Sequence, residues 1–192
     1  MKVNSFSISV KSLSFGSEEI TLIFDGQEIP FYASYIGPEP ISSLVESLVR
    51  LEEEIENMDY TRYHITWSDE PGTLDFEMSK EKFEDHIQIK IKFDNCGIEQ
   101  YHKTGNWEFE MPYSLYRQTV LNTALKVIIE YGLNGLNDSW ADGKDTFPFG
   151  SLVSLLGGQS AYHEESDSFR SNILDELKVL TDSIAKWQEQ NT

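Results

Sequence analysis

Carboxylates are the chemistry this sequence offers in greatest supply, and two groups of them are spaced to share a surface. Glu52, Glu53, Glu54 and Glu56, with Asp59 just beyond, close a segment with helical periodicity. Negative charge there opposes the helix macrodipole, whose C-terminal end is itself negative. Local logic is broken at this point, and functional surfaces are where such breaks are expected. A solvated helix face accounts for the same residues more plainly. The second group is Asp138, Asp142 and Asp145 around Trp140. Tryptophan is enriched at binding hot spots and its ring attracts cations, so an aromatic flanked by carboxylates suits a basic partner. The competing reading is a loop pinned to the core by its tryptophan.

Other chemical groupings are weaker. His64 and His86 fall on the polar face of alternating segments, with Asp75 and Glu77 on the segment between them. A histidine–carboxylate cluster suits acid–base work or metal binding. Cross-strand pairing of Lys90 and Lys92 with Asp75 and Glu77 is the simpler account. Cys96 with His102 lacks the second ligand pair of a structural zinc site, and no nucleophile signature surrounds the cysteine. Glu99-x-x-His102 occurs once, whereas carboxylate-bridged metal sites need two such motifs. Read as an EF-hand loop from Asp138, the segment puts Trp140 at a ligand position and Phe149 where a bidentate glutamate belongs. No phosphate loop, dinucleotide fingerprint or nucleophile elbow occurs. No cofactor, no metal and no catalytic residue is expected, and the chain leans away from being an enzyme.

Charge narrows the class of partner. The 192 residues carry a formal net charge of −18, with 39% hydrophobic and 12% aromatic residues, enough apolar content for a sizeable core. The excess is spread out: 3 basic against 11 acidic residues in 1–60, 6 against 9 in 61–103, and 6 against 13 in 104–192. Such a field repels phosphate backbones and anionic membrane surfaces. It favours a basic protein partner, because complementary fields speed encounter, although solubility alone explains a high charge. With one cysteine no internal disulfide forms. No secretory leader pattern opens the sequence and no stretch approaches a membrane span, so the chain reads as cytosolic.

The elements that must position these residues are centred on 63–93, three runs of clean period-two alternation. Tyr63, Ile65 and Trp67, then Leu74, Phe76 and Met78, then Ile87, Ile89, Ile91 and Phe93 alternate with polar residues. Successive strand side chains point to opposite faces, so this is an antiparallel meander with one face buried and one wet. Upstream, alternation over 3–10, 20–24 and 29–35 gives further strands. The Asp25-Gly26 pair between two of them predicts a type I′ hairpin. Pro40 opens an amphipathic helix with Ile41, Leu44, Val45, Leu48, Leu51 and Ile55 on one stripe and Ser42, Ser43, Glu46 and Ser47 opposite.

Residues 94–106 show turn residues and little pattern, and 107–111 suit a short edge strand. Pro112 opens a second helix, apolar nearly all round and therefore buried, that stops at Gly132. A turn-rich region covers 133–146, a short helix 149–156, and a last helix runs from Ser168 to about Gln188 with Phe169 on its stripe. The expectation is a single α+β domain over 1–192, with 1–111 mainly strands plus one helix and 112–192 mainly helical. An antiparallel sheet of hairpin and meander has one face covered by three to four helices. The function expected is a non-enzymatic cytosolic protein that binds a basic protein through an acidic surface, with an immunity- or antitoxin-type inhibitor as its concrete form. The alternatives are a small enzyme or ligand-binding domain using His64, His86, Asp75 and Glu77 on the polar sheet face, or a subunit of a larger assembly.

Overall fold

The computed structural model describes residues 1–14, 17–34, 39–69, 72–94, 104–139, 147–157, 161–163, 168–170 and 173–191. Strands β1 (Phe6–Ser14), β2 (Ser17–Phe24) and β3 (Gln27–Ser34) form one antiparallel sheet in the order β1-β2-β3. Strands β4 (Tyr60–Asp69), β5 (Gly72–Glu81), β6 (His86–Asp94) and β7 (Thr104–Pro112) form a second, in the order β4-β5-β6-β7. A small ribbon joins β8 (Ala161–His163) to β9 (Ser168–Arg170). The helices are α1 (Pro40–Asn57), α2 (Tyr113–Ser139), α3 (Phe149–Leu155) and α4 (Ile173–Asn191). The architecture is α+β.

Period-two alternation translates directly into burial. Ile65, Trp67, Leu74, Phe76, Met78, Ile87, Ile89, Ile91 and Phe93 are all buried, and their polar alternates form the opposite face. The Asp25-Gly26 turn has positive φ at both positions, 47° and 82°, as a type I′ hairpin requires. The Asp25 carboxylate also accepts hydrogen bonds from the Asn4 and Ser5 amides, fixing the entry to β1.

The hairpin sheet and the meander are separate sheets that meet on both flanks. Strand β3 packs against β4. On the other side, residues 1–3 pair with the outer edge of β7: Val3 N–H donates to the Glu110 carbonyl at 2.8 Å and Glu110 N–H to that of Met1 at 2.9 Å. Those bonds cover part of an edge that would otherwise offer unpaired backbone groups. Two aromatic stacks bridge the sheets: Phe24 on Phe109 with centroids 3.9 Å apart, and Phe31 on Trp67 at 5.1 Å.

Helix α1 is buried more completely than a single stripe predicts. Ser42, Ser43 and Ser47 are buried with the apolar residues. The reason is that α1 lies between β4 on one side and α2 on another. The serines are satisfied there. The Trp67 indole donates to Ser43 Oγ at 2.9 Å, and Ser47 Oγ meets the Tyr116 hydroxyl at 2.9 Å. Glu39 caps the helix, its carboxylate accepting from the Ile41 and Ser42 amides, and Pro40 occupies the first turn.

Three expectations shift. Strand β7 starts at Thr104, three residues before the expected edge strand, because the Trp107 indole lies over Gly105 and supplies the packing a glycine lacks. Gly132 does break α2, at φ 71°, yet 133–139 is helical rather than a loop; helix propensity is a weak prior, and its low-propensity residues do not prevent a helix there. Phe169 belongs to β9 opposite Tyr162, not to the last helix, since a three-residue strand is too short for period two to show. In α4, Leu180 is buried and Ile184 and Trp187 lie against the core, while Leu177 is exposed.

Candidate functional site

The acidic end of α1 divides in two. Glu52 Oε1 accepts from Arg117 Nε at 2.7 Å and from the Tyr113 hydroxyl at 3.0 Å, tying α1 to α2. Burial first, and the Glu52 charge second, push the Tyr113 hydroxyl far up, so it stays a donor. Glu54 Oε2 accepts from Thr61 Oγ1 at 2.6 Å, tying the helix to β4. Glu53 and Glu56 are exposed, and no ion pair engages them among the described residues.

Asp59 joins those two carboxylates, and so do Glu81, Glu84 and Asp85, which spacing along the sequence did not single out. Tyr60 lies opposite Glu81 in the β4–β5 register, and the Lys82 amide donates to the Asp59 carbonyl at 2.9 Å. The α1–β4 connection and the β5–β6 turn therefore share one end of the molecule. Asp59, Glu81, Glu84 and Asp85 are exposed there. So are three apolar side chains: Met58 at 55%, Tyr60 at 51% and Phe83 at 90%. The signal in the sequence was a lone phenylalanine inside Glu81-Lys82-Phe83-Glu84-Asp85, between two alternating runs.

Of the second acidic group, Asp138 falls in the last helical turn before Ser139, with its side chain outside the described residues. Trp140, Asp142 and Asp145 lie outside them altogether, as do Cys96, Glu99 and His102.

The polar face of the meander does bring three of its four candidates together. His64 pairs in register with Glu77 and Thr66 with Asp75, and His64 Nε2 is 3.5 Å from Asp75 Oδ1. They line a shallow groove of about 300 Å³ with Lys90, Lys92 and Glu108. His86 stands apart. It is four residues before Lys90 on β6, roughly 13 Å along the strand, opposite Pro112. Charge on this face alternates by strand: Arg62 and His64 on β4, Asp75 and Glu77 on β5, Lys90 and Lys92 on β6, Glu108 and Glu110 on β7. Arg62 pairs with Glu77, and Lys90 with Glu108 at 3.7 Å. The groove is open, and cationic and acidic side chains alternate across its strands.

No protein-family model, curated protein or solved structure matches this chain. Any functional reading therefore rests on the geometry.

One buried group remains. Glu18 lies at the start of β2 on the core side, 0% exposed, and neither carboxylate oxygen meets a donor among the described residues. Burial foremost, then the neighbouring Glu39 carboxylate, push its pKa well above the ordinary range. Glu39 itself is engaged by the α1 amides. Burial and a second carboxylate nearby both disfavour the charged form of Glu18, so its neutral, protonated form fits this setting. It can hold a proton, but it is closed to substrate. Among the described residues no group of three or more histidine, cysteine or acidic side chains is placed to hold a metal, and no helix is long and apolar enough to cross a membrane.

Proposed function

We propose that this chain is a non-enzymatic cytoplasmic protein that binds a basic protein partner through an acidic surface, in its most concrete form an immunity- or antitoxin-type inhibitor held against a cationic toxin domain. One observation carries the reading: Glu53, Glu56, Asp59, Glu81, Glu84 and Asp85 are all exposed where α1 ends and the β5–β6 turn begins. On the polar sheet face, by contrast, opposite charges neutralise one another. A net charge of −18 adds a long-range field of the same sign, and such fields raise association rates with cationic proteins. The Trp140 segment, with Asp138, Asp142 and Asp145, remains a second contact in this proposal.

The test is affinity capture from the native host, followed by association kinetics with the protein recovered. Reversing Glu53 and Glu56 to lysine should slow association by roughly tenfold at low salt and flatten its salt dependence. An unchanged on-rate, or a captured partner with no basic face, removes this reading. The His64–Asp75 groove would then favour the ligand-binding alternative, and a stoichiometric multi-subunit capture the assembly one.

A further inference from the structure

We infer that the β5–β6 turn is the anchor of the proposed interface: Phe83 enters an apolar pocket of the basic partner, and the carboxylates around it meet lysines or arginines on that pocket's rim. This rests on the partner-binding reading above and gives it a location.

Three observations converge. Phe83 is 90% exposed, and Met58 and Tyr60 beside it are each about half exposed. A phenylalanine left in water is exceptional beside Phe6, Phe24, Phe31, Phe76, Phe93, Phe109, Phe147 and Phe149, which lie in or against the core. Secondly, the turn is held firmly for so exposed a segment. Lys82 N–H donates to the Asp59 carbonyl at 2.9 Å, Glu84 N–H to that of Glu81 at 3.3 Å, and Tyr113 N–H to that of Asp85 at 2.7 Å. A residue presented on a preordered segment loses little conformational freedom on binding, which is what makes an aromatic an effective anchor.

The third observation concerns the cations. Two lysines precede Phe83, and both reach backbone carbonyls. Lys80 Nζ donates to the Glu81 and Glu84 carbonyls at 2.9 and 2.6 Å and lies 5.5 Å from the centre of the Tyr113 ring. Lys82 Nζ donates to the Glu56 carbonyl at 2.8 Å, at the negative end of the α1 dipole. These two lysines are thus committed to backbone oxygens, and apart from Asn57 the exposed side chains of 56–60 and 81–85 are acidic or apolar. An apolar centre with an acidic rim is complementary to an apolar pocket with a basic rim.

The test uses the full chain and two synthetic probes, a helical leucine–lysine peptide and an all-lysine peptide of equal charge. Amide NMR shifts should move at 56–60 and 81–85 with the leucine–lysine peptide. Phe83→Ser should weaken that binding at least about tenfold, with the thermal midpoint unchanged. The all-lysine peptide should bind more weakly and ignore the substitution. The anchor is overturned if Phe83→Ser binds like the parent, if shifts cluster elsewhere, or if the substitution lowers the midpoint substantially. In the first two cases, binding that salt still abolishes leaves the acidic-surface reading standing. If neither peptide binds at low salt, both readings fall.

Discussion

At the scale of single residues, Glu18 is where sequence and environment disagree most. A glutamate at a core-facing strand position breaks the apolar alternation of Ile20, Leu22 and Phe24. It is tolerated when it carries a proton, because a neutral acid can donate to Glu39 while two buried carboxylates would repel. The sign of the linkage follows. The folded-state pKa lies above the unfolded one, so the stabilisation is complete below the ordinary carboxyl range of ~4.3 and fades as pH rises through the raised value. Glu18→Gln retains a donor and cannot titrate. Unfolding free energies from urea titrations between pH 5 and pH 9 should therefore fall with pH more steeply in the parent than in the variant, by up to about 1.4 kcal/mol per pH unit. Parallel curves would mean that Glu18 is already ionised.

At the scale of elements, the acidic end of α1 separates into structural and exposed members by what each carboxylate reaches. Glu52 spans from α1 to α2 by accepting from Arg117 and Tyr113, 65 and 61 residues away. Glu53, next to it in sequence, faces water. Glu52→Ala leaves two donors without their acceptor and should lower unfolding free energy by about 1–2 kcal/mol in chemical denaturation. Glu53→Ala should change it by less than about 0.5 kcal/mol. Equal effects would show that the inter-helix contact contributes nothing beyond a surface charge. The α1 stripe of Ile41, Leu44, Val45, Leu48 and Leu51 was legible from spacing alone. The burial of Ser43 and Ser47 was not, because it depends on Trp67 and Tyr116 arriving from other elements.

At the scale of the whole molecule, a charge of −18 on 192 residues imposes self-repulsion on the compact state. Few ion pairs among the described residues offset it, and apart from the Arg117–Glu52 tie between the helices, pairs such as Lys2–Glu110, Lys11–Glu19 and Lys90–Glu108 are largely exposed and contribute little. Screening should help more than it harms. Raising NaCl from about 10 mM to about 0.5 M at neutral pH shortens the Debye length from ~30 Å to a few ångströms. The thermal midpoint should rise by a few degrees. A falling midpoint would mean that the alternating charges of the meander face contribute more than the long-range field removes.

The sequence by itself determined the α+β class, the Asp25-Gly26 hairpin, the meander and the two long helices after Pro40 and Pro112. Each is written in short-range terms, as a period of two or 3.6 residues or a turn needing positive φ. Tertiary structure alone decided that the hairpin and meander are separate sheets, that Glu52 and Glu54 are internal ties, and that His86 stands away from His64. It also placed Phe83, Met58 and Tyr60 at one acidic end. Periodicity states which side of an element a residue occupies. What stands opposite that side depends on contacts between residues far apart in the chain, and local spacing carries no record of them.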